Sequence, residues 1–360
     1  MKTAEGSGLG GCGDSADAEQ SAPPSNGAAP VLIVIPCLNE AAVLADVVAR
    51  ILADDRLEAP VLVIADGGST DGTVQIAQGL ATADPRVRLL TNPKRLQSAG
   101  INLAARSAGA GATWMVRVDA HADYPQNYVS SLIDEAHRTG ATSVVVSMET
   151  RGKAGFQRAA AAAQNSVLGA GGSAHRSRGR KGWVDHGHHA LFRLADFLAA
   201  GGYDEGFSHN EDAELDLRLV QRGSRIWLTD KVRIVYYPRA SGLALGRQYF
   251  NYGKGRARTV LKHRMRLKVR QALPLAVAPA VLLALAAPLF WPLAIPALAW
   301  LGAVLVFGLL SGLAKGDAAV MASGWPAGIM HLAWSAGFWT ELVGRRAPAR
   351  PGLRAVPAAS

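Results

Sequence analysis

The sequence predicts an α/β fold with a mostly parallel central sheet, followed by C-terminal membrane helices. Three observations predict it. From Val31 onward, short apolar runs rich in β-branched residues alternate with helical stretches. Strands that are apolar throughout and separated by helices belong in a parallel sheet covered on both faces. Polar motifs fall where those runs end, and ligands collect beyond the carboxyl ends of strands in such sheets. After Arg270 the chain changes character, and residues 271–314 hold no charged side chain.

The elements follow in order. Residues 1–29 are rich in Gly, Ala, Ser and Pro and are expected to be disordered. Within them Gly8-Leu9-Gly10-Gly11-Cys12-Gly13 fits a dinucleotide-binding glycine pattern. No strand precedes it and no helix follows, so the mechanism behind that pattern is missing. VLIVIP (31–36) reads as the first strand and Glu40–Leu52 as a helix. VLVIAD (61–66) and VRLLT (87–91) are the next strands, with helices near Thr73–Leu80 and Gln97–Ala108. WMVRVD (114–119) is the fourth strand, and Pro125 starts a helix to His137, as suits a proline in a first turn. SVVVS (143–147) is the fifth. Ala159–Ala170 reads as helical, and Gly169–Gly182 as a long loop of the kind that serves binding. VDHGHHALFR (184–193), a short helix over Glu211–Arg222 and the strands IWLTD (226–230) and VRIVYYP (232–238) complete the domain.

The expected organisation is a tail over 1–29, the α/β domain over 30–245, a basic amphipathic juxtamembrane segment over 246–270, a membrane region of two to three helices over 271–345, and a tail over 346–360. The uncharged stretch is long enough for two spans of about 20 residues each. Trp291-Pro292 sits where an interfacial turn would fall, and membrane helices tolerate prolines such as 274, 279, 288 and 296. A third apolar stretch, Ala318–Val343, carries His331 and Glu341 and either spans or lies in the interface. Lys262, Arg264, Arg266, Lys268 and Arg270 precede the first span, which predicts a cytoplasmic α/β domain on a multi-pass inner-membrane protein. The basic tail (Arg345, Arg346, Arg350, Arg354) favours two spans plus an interfacial helix, while hydropathy allows three.

Composition narrows the classes further. The chain has 360 residues, 49% of them hydrophobic, and a net charge of +10. No Asp or Glu lies between Asp230 and Asp317, while Lys and Arg crowd residues 247–270, so this block suits phosphates. Its place immediately before a membrane span argues against nucleic acid. With two cysteines, Cys12 and Cys37, no disulfide framework is indicated, and the N-terminus lacks the apolar core of a signal peptide.

Four short motifs carry the chemistry. In Asp119-Ala120-His121, a carboxylate and an imidazole stand two residues apart at a strand end. Residues i and i+2 of an extended segment point the same way, so both can meet one ion. That donor pair suits Mg2+ or Mn2+ held partly by a substrate's phosphates. The plainer reading is a turn in which Asp119 caps a loop. The other motifs are Pro36-Cys37-Leu38-Asn39-Glu40, Asp66-Gly67-Gly68-Ser69-Thr70-Asp71-Gly72-Thr73 and Asn210-Glu211-Asp212.

In this order, P-x-L-N-E, D-G-G-S-T-D-G-T, strand-D-x-[DH] and E-D resemble glycosyltransferase family 2, inverting enzymes with a nucleotide-sugar-binding GT-A fold. RVDAHADYP, VDHGHHALFR, NEDAELDLRL and YGKGRART are similar to the membrane-attached exopolysaccharide glucosyltransferases of the succinoglycan type. The resemblance covers residues 31–270.

The resemblance implies roles. It places Pro36, Asn39 and Glu40 beside the nucleotide and gives Asp66 a hydrogen bond to base or ribose. The family often has a second Asp next, where this chain has Gly67. The residues themselves allow plainer readings: Asp66 starting a Gly-Gly turn, Asp71 capping the helix after Gly72, and Asn39 capping one at Glu40. Lys94 and Arg95 follow the third strand and are candidates for the donor diphosphate, and Asp123 is a spare ligand beside Asp119 and His121. Asp212 is the expected general base. Glu211 is read as its support, in a capping box with Ser208. Asp216 shares the helical face of Asp212, and Glu214 with Arg218 makes an i, i+4 pair. Asp185, His186, His188 and His189 suggest zinc only weakly, since no cysteine accompanies them, and the resemblance places them on the acceptor side. Lys254, Arg256 and Arg258, interleaved with Tyr249, Phe250 and Tyr252, would meet diphosphate or anionic headgroups.

The expected function is a metal-dependent inverting transfer of a sugar, glucose by the resemblance, from a UDP-sugar to a polyprenyl-diphosphate-linked oligosaccharide at the membrane. The alternatives are transfer to a polyprenyl phosphate or lipid headgroup, and an inactive nucleotide-sugar-binding scaffold. The processive polymerases of the family carry Q-x-x-R-W, which does not follow Gln248 here, so one sugar per acceptor is expected.

Overall fold

The computed structural model describes residues 30–170, 180–267 and 269–346. The two expected tails and most of the Gly169–Gly182 loop lie outside them. In chain order the first half reads β1 (Val31–Cys37), α1 (Leu44–Leu52), β2 (Val61–Asp66), α2 (Thr73–Ala83), β3 (Val87–Thr91), α3 (Gln97–Ala108), β4 (Trp114–Arg117), α4 (Tyr128–Thr139) and β5 (Ser143–Thr150). Then come α5 (Gly155–Gln164), α6 (Val167–Ala170), β6 (Gly182–Val184), β7 (His188–Arg193), α7 (Leu194–Ala199), α8 (Glu211–Gln221), β8 (Ile226–Tyr236) and α9 (Gly242–His263). The C-terminal part is α10 (Val269–Ala272), α11 (Val277–Ala284), α12 (Ile295–Lys315), α13 (Ala318–Met321) and α14 (Gly324–Arg346), with 3-10 turns at Leu273–Ala276 and Trp291–Ala294.

The eight strands among the described residues form one sheet in the order β3-β2-β1-β4-β7-β5-β8-β6. β1 pairs in parallel with β2 and β4, β2 with β3, and β5 with β8. β7 is antiparallel to both neighbours and β6 to β8. The β-branched runs go to the centre because only residues apolar on both faces can sit between two helix layers. Ile33, Ile35, Ile64 and Val116 face one layer, and Leu32, Val34, Val63 and Met115 the other, all essentially inaccessible. At roughly 25 cal/mol per Å2 of apolar surface removed from water, each such side chain contributes about 2 kcal/mol.

Two expectations are corrected here, and a third is met only in part. The two late strands are one, β8, whose register against β5 shifts between Val146 and Ser147 and absorbs the break as a bulge. The first helix begins at Leu44 rather than Glu40, because residues 38–43 turn around the neighbouring loop. The region 271–345 holds one helical segment long and apolar enough to cross a membrane, Trp291–Lys315, and not two or three among the described residues. Residues 285–294 break the first expected pair unequally and leave only the shorter apolar segment Leu273–Ala284 before the turn. The third stretch, α14, instead packs along α9, tied by the Arg258–Glu341 ion pair at 2.8 Å.

α9 is wedged between that helix and the α/β domain. A Cβ at Gly253 would collide with the Trp334 carbonyl, and one at Gly255 with the His209 carbonyl. The Gly-Lys-Gly spacing therefore serves close approach on two sides. Lys262 and His263 at the end of α9 reach Glu214 of α8 at 2.7 and 2.9 Å, beside its expected partner Arg218 at 2.7 Å.

Candidate active site

Two of the motifs interlock at the carboxyl edge of β1 and β2. Asn39 N donates to Ser69 Oγ (2.9 Å), Thr70 N to Asn39 Oδ1 (2.8 Å), Glu40 N to Thr73 Oγ1 (2.8 Å) and Ala41 N to Asp71 Oδ2 (3.2 Å). Asn39 therefore clamps a loop instead of capping a helix. It has φ 59°, and Asn210 before Glu211 has φ 68°. Asparagine is among the few residues that accept this left-handed conformation readily, which accounts for Asn-Glu in both motifs. Asp66, at the buried end of β2, accepts from Gly68 N (2.7 Å), Ser69 N (3.1 Å) and Ser69 Oγ (2.5 Å), so its carboxylate builds the turn. Pro36 lies in β1 opposite Ala65 of the same edge.

The centre of the site is a residue the motif reading passed over. Arg117 ends β4 and is buried. Its Nε donates to Asp119 Oδ1 (3.0 Å), its Nη1 to Asp212 Oδ1 (2.6 Å), and Glu211 Oε1 lies 3.7 Å away. The detectable signal was a guanidinium in an otherwise apolar strand, since buried charges are paired or functional. Tyr203 Oη donates to the same Asp212 oxygen at 3.0 Å, and His188 Nδ1 lies 3.0 Å from Asp212 Oδ2. Burial would raise the Asp212 pKa, but Arg117 and His188 outweigh it and hold the carboxyl well below the usual range. Burial and the adjacent Asp212 charge push Glu211 up. The Ser208 capping box is not formed: α8 starts after Asn210 with no side-chain cap, and Glu211 faces Arg117.

Asp119 also accepts from Gln97 Nε2 at 2.9 Å. His121, two residues on, has Nδ1 3.0 Å from Glu40 Oε1, and that hydrogen bond raises its pKa. His186 Nδ1 lies 2.7 Å from Asp216 Oδ2, so Asp212 and Asp216, one turn apart, each meet a histidine of the 186–188 segment. Asp185 is exposed on the same wall, and the His189 side chain is outside the described structure. Lys94 turns to Glu205 (2.6 Å), while Arg95 lies over Gly68. Arg258, expected at a diphosphate, is instead bound to Glu341 and the Gly206 carbonyl (3.1 Å). Asp123 lies at 3.5 Å from Tyr237 Oη.

A cavity of about 1230 Å3 joins these groups. Gln97, Asp119, His121 and Arg239 line it together with Arg117, His188, Glu211 and Asp212, and Arg256, Pro274 and Trp334 extend the lining onto the later helices. It runs from the strand ends to the C-terminal helices.

Among the described residues no three His, Cys, Asp or Glu side chains form a metal cluster. The donor set nonetheless fits a cation shared with a substrate: Asp119 and His121 offer a carboxylate and an imidazole to the same cavity, and Mg2+ or Mn2+ characteristically takes its remaining ligands from phosphate and water.

Known proteins show the same pattern. The profile of "Glycosyl transferase family 2" matches residues 32–198. The chain is 52% identical over 312 residues to the succinoglycan biosynthesis protein ExoA of Rhizobium meliloti (strain 1021), covering 87% of this chain and 94% of that one. The fold is similar to that of the mannosyltransferase PcManGT from Pyrobaculum calidifontis, solved in complex with GDP-Man and Mn2+, with a TM-score of 0.58, 20% identity and 90% coverage of both chains. The GT-A-type sheet, the ordered motifs at its carboxyl edge and the near full-length identity to ExoA lead to one conclusion: the chain belongs to glycosyltransferase family 2 and is a glycosyltransferase.

Proposed function

We propose that the chain is an inverting transferase of exopolysaccharide assembly. It moves one sugar, glucose, from a UDP-sugar to a lipid-linked oligosaccharide carried on polyprenyl diphosphate, at the cytoplasmic face of the inner membrane. The similarity to ExoA supports the pathway. The observation that carries the mechanism is the Arg117 bridge between Asp119 and Asp212 inside one continuous cavity.

The donor diphosphate lies at the Asp119 end, near Asn39, Glu40 and Asp66. Asp119 and His121 are the residues that would hold Mg2+ or Mn2+, which when bound neutralises charge on the diphosphate. The acceptor enters past His186, His188 and Arg256. Its hydroxyl oxygen attacks the sugar C1 in line as the C1–O bond to the diphosphate breaks, and the hydroxyl proton passes to Asp212. Nucleoside diphosphate leaves from the opposite face, so C1 inverts. Arg117, Tyr203 and His188 fix the Asp212 carboxylate and keep it ionised. That makes it a weak base in the resting enzyme. A weak base suffices because the acceptor proton becomes acidic as the oxygen bonds to an oxocarbenium-like C1.

Proton NMR of the product formed from an α-linked UDP-sugar tests the stereochemistry. A new β anomeric proton is expected, and an α product would exclude the single displacement.

A further inference from the structure

The geometry points to residues 273–315 lying in the plane of one leaflet of an anionic bilayer, with α12 flat against the protein rather than across the membrane. α12 is fastened to α13 and α14 along its length and comes beside α5 of the α/β domain at its middle. Near its start, Trp300 Nε1 lies 3.4 Å from His331 Nδ1, and His331 Nε2 lies 2.9 Å from the Leu168 carbonyl. At its middle, Leu305 shares an apolar crevice of about 340 Å3 with Phe156 and Ala159 of α5. Toward its end, a Cβ at Gly308 would meet Gly324 N at 2.5 Å, and one at Gly312 would collide with Met321 N.

The position of α5 beside Leu305 conflicts with a span. A helix of 21 residues is about 30 Å long, so in a span its midpoint would lie at the centre of the hydrocarbon. Leu305 would bring α5 there, and α5 carries exposed Arg158 and follows exposed Lys153. Charges at that depth are expensive. The shorter arm, Leu273–Ala284, is also held to the protein: Ala278 N donates to Ser335 Oγ (3.0 Å), and Ser335 Oγ and Trp339 Nε1 donate to the Leu275 carbonyl (3.0 and 2.8 Å). Twelve residues reach only about 18 Å, short of the hydrocarbon thickness.

What remains uncovered is apolar. Leu298, Val306, Leu309, Leu310 and Leu313 are exposed on α12, and Leu289, Phe290 and Trp291 at the hairpin tip. In sequence, exposed Arg264 and Arg266 precede this stretch and exposed Lys315 ends α12, and no acid occurs between Asp230 and Asp317. An apolar stretch bounded by cations and free of acids is complementary to anionic headgroups over acyl chains. The inference rests on the membrane association proposed above and specifies how it is made.

Depth-dependent quenching in reconstituted vesicles tests it. Full-length protein with fluorophores at Leu298→Cys, Val306→Cys or Leu313→Cys would be placed in phosphatidylcholine–phosphatidylglycerol vesicles carrying nitroxides at graded acyl depths. The expected result is one shallow depth for all three positions, about 5–10 Å below the headgroups. A profile deepest at Val306 and shallow at both ends would show a crossing helix and overturn the inference while leaving membrane association intact. No binding of the unlabelled protein to the vesicles, including a soluble dimer that covers this face, would overturn both.

Discussion

Arg117 and Asp212 lie 95 residues apart in sequence and 2.6 Å apart in space, and the other edge of the same guanidinium reaches Asp119 at 3.0 Å. One buried cation thus joins the β4 end, where donor chemistry is expected, to the first turn of α8, where the acceptor proton is expected to go. Arg117→Lys keeps the charge but not the two-edged geometry. We expect kcat to fall about 10–100-fold, in line with lost positioning, with donor KM changed much less. Arg117→Ala removes the one guanidinium that neutralises Asp119 and Asp212 in a buried site and should lower stability by about 3–5 kcal/mol, read by urea unfolding.

Asp212→Asn removes the proton acceptor while keeping shape. Turnover should fall by about 10²–10⁴-fold with nucleotide affinity within a few-fold of the parent, measured by calorimetry with UDP. Equal loss of binding and turnover would make Asp212 a donor-site residue instead.

The two adjacent acids should respond to pH in opposite directions. Asp212 is depressed by Arg117 and His188 against the effect of burial, so its stabilisation is present above the ordinary carboxylate pKa and is lost as pH falls through its folded value. Glu211 is raised by burial and by Asp212. Its folded form favours the proton, so that contribution is full at low pH and is lost as pH rises through the folded value. Glu211→Gln should therefore gain stability relative to the parent as pH rises from acid toward neutral. Urea midpoints across that range check the sign.

The Arg258–Glu341 pair binds α9 to α14, with Glu341 buried and Arg258 about a quarter exposed. Glu341→Ala should destabilise by on the order of 2 kcal/mol, less than a fully buried pair would lose. Glu341→Gln should recover part of it through retained hydrogen bonds, seen as a partial return of the thermal midpoint.

Strands β1, β2, β4 and β5 were legible because each is a short, doubly buried run whose apolar content has no other use, and the half-exposed β3 because it follows the same strand–helix alternation. The motifs at their ends were legible as a set, because their order tracks the strand order. What local pattern concealed was long-range pairing. Ser208 and Glu211 have the spacing of a capping box, yet Arg117 takes Glu211 from a different element. Arg258 looked like a phosphate ligand within a basic run, and only α14 shows its partner. Hydropathy counted apolar residues in 318–343 but did not register that α14 spends one face on α9. Asp66 illustrates the reverse: the plain reading of its Gly-Gly turn is the geometry present, and any nucleotide contact would be added to it.

The central claim is metal-assisted transfer from a nucleotide sugar with Asp212 as the base. Its most direct test is nucleoside diphosphate release by the full-length, detergent-extracted protein across a panel of nucleotide sugars. Lipid-linked oligosaccharide would be supplied, with Mg2+, Mn2+ or chelator, beside Asp119→Ala and Asp212→Asn. The account predicts UDP release from UDP-glucose that requires both metal and acceptor and is lost in both variants. Release that persists undiminished in Asp212→Asn, or in the presence of chelator, would contradict it.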